Sequence, residues 1–203
     1  MINVDMNNIP LVQDEIEKLV SSREFLEMKY AGAEIPNYIL PFPPAKQNAY
    51  NKMAQDLCDR LKLKGITVLC LNMYDCALEI MKNNESAPLE AYLDAEGLTK
   101  EDFFEDFSNV LDMNGSFAPF VAEKINGSGA EMVFMNGIGE AYPFVRIHAL
   151  LEALPVYMNG RKPIVVFYPG SYDKKTGNSC FRLFDRLSPV NYYRAFNIFT
   201  EVN

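Results

Sequence analysis

Residues Met132 to Tyr172 read MVFMNGIGEAYPFVRIHALLEALPVYMNGRKPIVVFYPGSY: two apolar runs separated by a glycine-bearing turn and an amphipathic stretch. The first run, Met132 to Met135, meets Asn136-Gly137-Ile138-Gly139, and the second ends in Tyr168-Pro169-Gly170. The spacing predicts a strand, a loop, a helix from about Tyr142 to Leu154 and a second strand over Pro163 to Phe167. That is the length of a crossover between parallel strands, and a parallel sheet gathers its loops at one edge, where α/β proteins bind their ligands. Pro143 suits the first turn of that helix because it has no amide to leave unpaired.

Working outward, Ile35 to Phe42 and Ile66 to Leu71 are also near-continuous apolar runs, the pattern of strands covered on both faces. Between them, Ala45 to Leu63 carries Tyr50, Met53, Leu57, Cys58 and Leu61 at helical spacing, with Gly65 placed as a left-handed cap. An opening helix is expected from Leu11 to Met28, and further strands over Cys180 to Phe184 and Tyr193 to Phe199. Asn83 to Lys124 is helical and acidic, with Leu93, Phe103, Phe104, Phe107, Val110 and Leu111 giving it apolar faces. The expected fold is α/β: a mainly parallel central sheet flanked by helices, in Rossmann-like or P-loop-like layers without a functional phosphate loop. The 203 residues are expected to form one domain, with an acidic helical insertion over about 83–124.

Charge and composition narrow the function. The net charge of −8 is segregated: residues 75 to 123 hold twelve acidic and two basic side chains, and residues 161 to 203 hold seven basic and three acidic. An acidic protein gains no long-range attraction to DNA, so direct DNA binding is not expected, even with Lys174, Lys175, Arg182, Arg186 and Arg194 grouped near the C-terminus. No apolar window approaches a membrane span and no export signal opens the chain, which predicts a cytoplasmic protein. The four cysteines, Cys58, Cys70, Cys76 and Cys180, lack zinc-site spacing and read as free thiols.

Several catalytic signatures begin and fail. Gly137-Ile138-Gly139 follows a strand as in G-x-G-x-x-G, yet the third small position is Tyr142, and Glu140 competes with a phosphate for the helix amides. Gly170 to Thr176 lacks the spacing of a phosphate loop and leads toward a strand. His148 is the only histidine; with Glu152 it offers two metal ligands on one helical face, short of a site, so neither a metal nor a cofactor is expected. Asp75 stands near the start of a helix, where a carboxylate caps amides. Arg146 has the planar fork for an anion, although pairing with Glu140 or another acid is the commoner outcome. If the four apolar strands are parallel, one edge collects Asn72, Asp75, Asn136, Gly137, Gly139, Glu140, Tyr142, Arg146, Tyr168, Gly170 and Tyr172 as a candidate ligand or partner surface.

Five ordered segments carry a resemblance: Phe25 to Tyr30 (FLEMKY), Ile35 to Tyr38 (IPNY), Asn136 to Arg146 (NGIGEAYPFVR), Phe167 to Gly170 (FYPG) and Asn191 to Phe196 (NYYRAF). Together, from about Phe25 to Ile198, they resemble the BrxB family of BREX, the bacteriophage exclusion systems of bacteria. The resemblance implies a defence-system component acting with other BREX proteins, such as the alkaline-phosphatase-like PglZ component, and supplies no catalytic residue. A non-enzymatic scaffold or regulatory subunit is the expected role. The alternative is a nucleotide-responsive or hydrolytic protein with a non-standard site at the strand edge.

Overall fold

Every residue of β3, Met132–Asn136, is buried, which places this strand inside a sheet covered on both faces. The computed structural model describes residues 4–29, 37–84, 89–93, 97, 99–175, 178–187 and 195–200. Around β3 the sheet is assembled from β1 (Asn37–Phe42), β2 (Val68–Asn72), β4 (Ile164–Lys175) and β6 (Phe196–Asn197) in the order β2-β3-β4-β1-β6, all parallel, while β5 (Asn178–Leu183) pairs antiparallel with β4. The fold is therefore α/β with a mainly parallel sheet, as the apolar runs predict. Of the first expected strand, Ile35 and Pro36 lie outside the described residues. Of the last, Tyr193 and Arg194 do, and what remains is the short edge strand β6.

Side chains alternate between two cores, as strand geometry requires. Met132 and Phe134 of β3, Val165 and Phe167 of β4, and Tyr38, Leu40 and Phe42 of β1 join α1 (Ile9–Val20) and α3 (Gln47–Leu63) on one face. Val133, Met135, Val166 and Ile39 face the opposite core, built with α4 (Met73–Lys82), α6 (Lys100–Val110), α7 (Ala118–Gly127) and α9 (Ile147–Ala153). The expected buried stripe of α3 is present, and Gly65 at φ +81 ends that helix. Its amide donates to Lys62 O, and the Ile66 amide donates to Leu61 O, closing a Schellman motif.

Proline placement follows the ladder. Ile198 N donates to Ile39 O, so Ile39 presents its backbone to β6; Pro41, two residues on, faces the same way beyond the end of β6. Pro163 O accepts from Val133 N, so Pro163 faces β3, and Pro169 faces that side too, past the last β3 partner, Val166. Neither Pro41 nor Pro169 removes a hydrogen bond from the parallel sheet. The strand consequently does not stop at Tyr168-Pro169-Gly170. β4 runs on to Lys175, with β5 taking the place of β3 beside it, and Phe184 N donates to Pro169 O at 2.8 Å.

Two helices differ from the expectation. The opening one breaks at Ser21-Ser22: α1 ends, and the Ser22 hydroxyl accepts from Phe25 N to start a new turn, α2 (Arg23–Leu26), which aims Phe25 into the core 4.7 Å from the Tyr38 ring. The helix after β3 is split as well. α8 (Ile138–Ala141) stops because Tyr142, preceding a proline, is extended at φ −70, ψ 139, and helix resumes only with α9. Pro143 thus sits between two helices rather than in the first turn of one.

The acidic segment between β2 and β3 is helical: α5 (Leu89–Leu93), α6, a π turn over Met113–Phe117, and α7. Thr99 and Asp102 form a reciprocal capping box at the start of α6. Phe107, 7% exposed, sits among Tyr92, Phe103 and Phe144 and fixes α5 and α6 to the turn before α9. Phe104 is 48% exposed. Among the described residues no helix is long and apolar enough to cross a membrane.

Candidate functional site at the carboxyl edge

Because β1 to β4 are parallel, their carboxyl ends share one edge, and the expected residues divide there into a polar seam and a cavity. Asn72 and Asn136 occupy the same register step at the ends of β2 and β3. Asn72, not Asp75, is the N-cap of α4: its Oδ1 accepts from Tyr74 N at 2.9 Å and from Asp75 N at 3.2 Å. Asp75 is the third residue of that helix and points to solvent, where its charge complements the helix dipole without capping it.

Gly137 is left-handed at φ +69, and a Cβ there would stand 2.6 Å from Asn72 Cγ. Glycine lets the turn after β3 lie against the capping side chain after β2. Gly139 has no positive φ; its need is for space, since a Cβ would collide with Gln47 Oε1 and lie 2.9 Å from a Phe184 ring carbon. The glycine turn is therefore filled by the protein's own side chains. It lacks the open approach that a dinucleotide pyrophosphate requires.

Residues of α3 complete the seam. Asn51 Nδ2 donates to Glu140 Oε1 at 2.7 Å, and Asn136 Nδ2 lies 3.5 Å from Asn51 O and 3.9 Å from Cys70 Sγ. Asn136 Oδ1 and Glu140 Oε2 are buried without a hydrogen-bond partner among the described residues. Glu140 thus faces Asn51 and does not pair with Arg146. Gln47 and Asn51 carry no motif; the signal for them was positional, since a helix entered from β1 begins at the same edge as the other loops.

Tyr142, Arg146 and Tyr168 converge on a separate cavity of about 230 Å³ between α8, α9 and the β4–β5 hairpin. Ile138, Val145, Phe181 and Leu183 supply apolar wall, and His148 joins the polar residues. Arg146 opens α9 as its N-cap residue, is exposed, and forms no ion pair among the described residues. Burial and then the neighbouring Arg146 charge hold His148 below its ordinary 6.5, against the opposing pull of Glu152, so the imidazole is neutral at pH 7. Phe181, Leu183 and Leu187, which the sequence reading did not select, reach the cavity because β4 continues into the hairpin.

Gly170 and Tyr172 belong to that hairpin and not to a loop. A Cβ on Gly170 would strike the carbonyl oxygen of Arg182 across the ladder, and Tyr172 packs on Phe181 with ring centroids 4.9 Å apart. His148 and Glu152 gain no third ligand: among the described residues no three His, Cys, Asp or Glu side chains are grouped to hold a metal. The expected lysines of the basic group, Lys174 and Lys175, have side chains outside the description.

A protein-family model described as BREX protein BrxB matches residues 69–198, from β2 through β6. Two curated proteins, each named BREX protein BrxB, are similar along most of their length. The one from Bacillus cereus (strain H3081.97) is 26% identical over 190 residues, covering 91% of this chain and 94% of its own. The one from Escherichia coli O9:H4 (strain HS) is 29% identical over 185 residues, covering 91% of this chain and 88% of its own. No solved structure matches. With more than half of its residues matched by the family model, including the glycine turn, the cavity and the hairpin, the chain belongs to the BrxB family.

Proposed function

We propose that this BREX phage-defence component acts as a non-enzymatic scaffold or regulatory subunit in the cytoplasm. It binds another BREX protein, foremost the PglZ-like component, through the cavity at the carboxyl edge. The observation that carries this reading is the makeup of that cavity: an apolar wall of Ile138, Val145, Phe181 and Leu183 beside an exposed Arg146 that forms no ion pair among the described residues. Such a site takes an apolar anchor side chain next to a carboxylate, the pattern of a buried hot spot with a charged rim. The filled glycine turn supports binding over phosphate chemistry. The acidic face of α5 to α7 supplies a second, electrostatic element that steers a basic partner surface.

The test is co-purification from cells carrying the whole defence operon. Arg146→Glu, on an exposed residue, should leave thermal unfolding unchanged and weaken recovery of the partner about 10-fold, the loss of one well-placed charged contact. Association steered by the acidic face slows as salt is raised. Turnover of ATP or a phosphodiester by the isolated protein, abolished in Arg146→Ala or Asp75→Asn with folding intact, would overturn the scaffold reading. Undiminished partner recovery with Arg146→Glu would remove the cavity from the interface.

A further inference from the structure

Among the described residues β2 is an edge strand of the sheet, opposite β6, and Cys70 is its middle residue. Thr67 O accepts from Glu131 N, so Leu69 and Leu71 turn their backbone groups toward β3, while Val68 and Cys70 present theirs to the open side. The Cys70 side chain lies on the face covered by α3 and remains partly exposed. Cys58 of α3 packs on the same face beside it. Asn136 Nδ2 stands 3.9 Å from Cys70 Sγ as a donor. A depression of about 320 Å³ opens at this point, lined by both thiols together with Gln55, Asp59, Lys62 and Thr67.

Two thiols lining one depression, an amide 3.9 Å from one of them, a nearby ammonium group and an open approach make an arrangement that structural cysteines do not need. Cys76 shows the contrast: it lies on the buried face of α4, and desolvation pushes its thiol up to about 11. We propose that Cys70 and Cys58 form an oxidisable dithiol, with Cys70 the nucleophile toward hydroperoxides and Cys58 the resolving thiol. This inference is independent of the partner-binding reading.

The roles follow from exposure and from the amide: Cys70 is partly exposed with Asn136 Nδ2 beside its sulfur, and Cys58 is buried. The neighbouring Cys58 holds the Cys70 thiol below its ordinary 9.0 against the opposing effect of burial, while the same pairing and burial raise Cys58. The thiolate sulfur of Cys70 attacks the terminal peroxide oxygen; the O–O bond breaks and the leaving oxygen takes up a proton as water or an alcohol. Cys70 is then a sulfenic acid. The Cys58 sulfur attacks it, the S–O bond breaks, and hydroxide leaves as water with the Cys58 proton. Two thiols and one hydroperoxide thus yield one disulfide, one water or alcohol, and one water. The bond ties α3 covalently to the edge strand.

The experiment treats the full-length reduced protein with hydrogen peroxide, followed by alkylation and peptide mass spectrometry. The expected product is a peptide linked through Cys58 and Cys70, released by dithiothreitol. In Cys58→Ser, a sulfenic acid trapped by dimedone accumulates at Cys70. In Cys70→Ser, Cys58 stays reduced. Iodoacetamide on the wild-type protein should label Cys70 at least 10-fold faster than Cys76 at pH 7.5, a readout that depends on no variant. Recovery of both residues as free thiols after peroxide, or labelling of Cys70 no faster than Cys76, would overturn the proposal.

Discussion

Replacing Gly137 by alanine tests whether the turn after β3 and the cap of α4 are one structural unit. The substitution has two separable costs. The backbone at φ +69 is left-handed, which for a residue with a Cβ costs about 1–2 kcal/mol. The new methyl also occupies the place of the Asn72 amide, only 2.6 Å from its Cγ, and so displaces the oxygen that accepts from Tyr74 N and Asp75 N. Loss of an N-cap costs about 1 kcal/mol. The sum is about 2–3 kcal/mol, or a fall in Tm of about 5–10 °C in a chain of this size. In an Asn72→Ala background the cap is already gone, so Gly137→Ala should add only the backbone term. The double mutant is then destabilised by about 1 kcal/mol less than the sum of the two single mutants. Urea unfolding of the four proteins of this cycle measures it. Strict additivity, or a cost below about 0.5 kcal/mol for Gly137→Ala alone, would refute the coupling of the two turns.

Gly139→Val should destabilise by about 1–3 kcal/mol, because it drives a branched side chain into Gln47 and Phe184, whereas Ser171→Ala should stay within about 0.5 kcal/mol; thermal unfolding compares them. Phe107→Ala should cost about 3–5 kcal/mol by opening the cluster with Tyr92, Phe103 and Phe144, and the 48% exposed Phe104 about 1 kcal/mol; equal losses in denaturant titration would contradict this packing. Glu17 accepts from Lys64 at 2.6 Å and Arg60 at 3.1 Å, and these partners hold its carboxyl below the ordinary 4.5 against burial. A depressed folded pKa gives stability that is present above 4.5 and lost as pH falls through the lower folded value. Glu17→Gln should therefore lower Tm at pH 7, with the gap closing on acidification; a gap constant down to pH 3 speaks against the network.

The sheet was legible because strands covered on both faces must be apolar throughout, and Met132 to Met135, Ile164 to Phe167 and Ile66 to Leu71 have no other reason to be. Parallel strands then placed Tyr142, Arg146 and Tyr168 at one edge, where they do line one cavity. The seam was legible only in half. Asn136 and Glu140 could be named from the loop they share, but Gln47 and Asn51 arrive from a helix distant in sequence, and no local pattern encodes that approach. Tyr168-Pro169-Gly170 misled for a physical reason. Proline and glycine end a strand when a ladder partner demands the missing amide, and Pro169 faces a side where β3 has already ended. Asp75 was similarly a reasonable cap by residue type, but the helix starts two residues earlier, capped by Asn72, which leaves Asp75 inside the first turn with its own amide bonded to Asn72.

The continuity of β4 has a mechanical meaning. Its first residues are clamped between β1 and β3 at the centre of the sheet, and its last six, Gly170 to Lys175, reach outward with β5 as a ribbon of roughly 20 Å at the usual strand rise. With no loop between them, the ribbon is a lever arm whose fulcrum is the sheet. Tyr168, Phe181 and Leu183 sit at its root as one wall of the cavity. A load taken up near its tip is delivered as torque at that wall, and a residue seated in the cavity stiffens the arm in return.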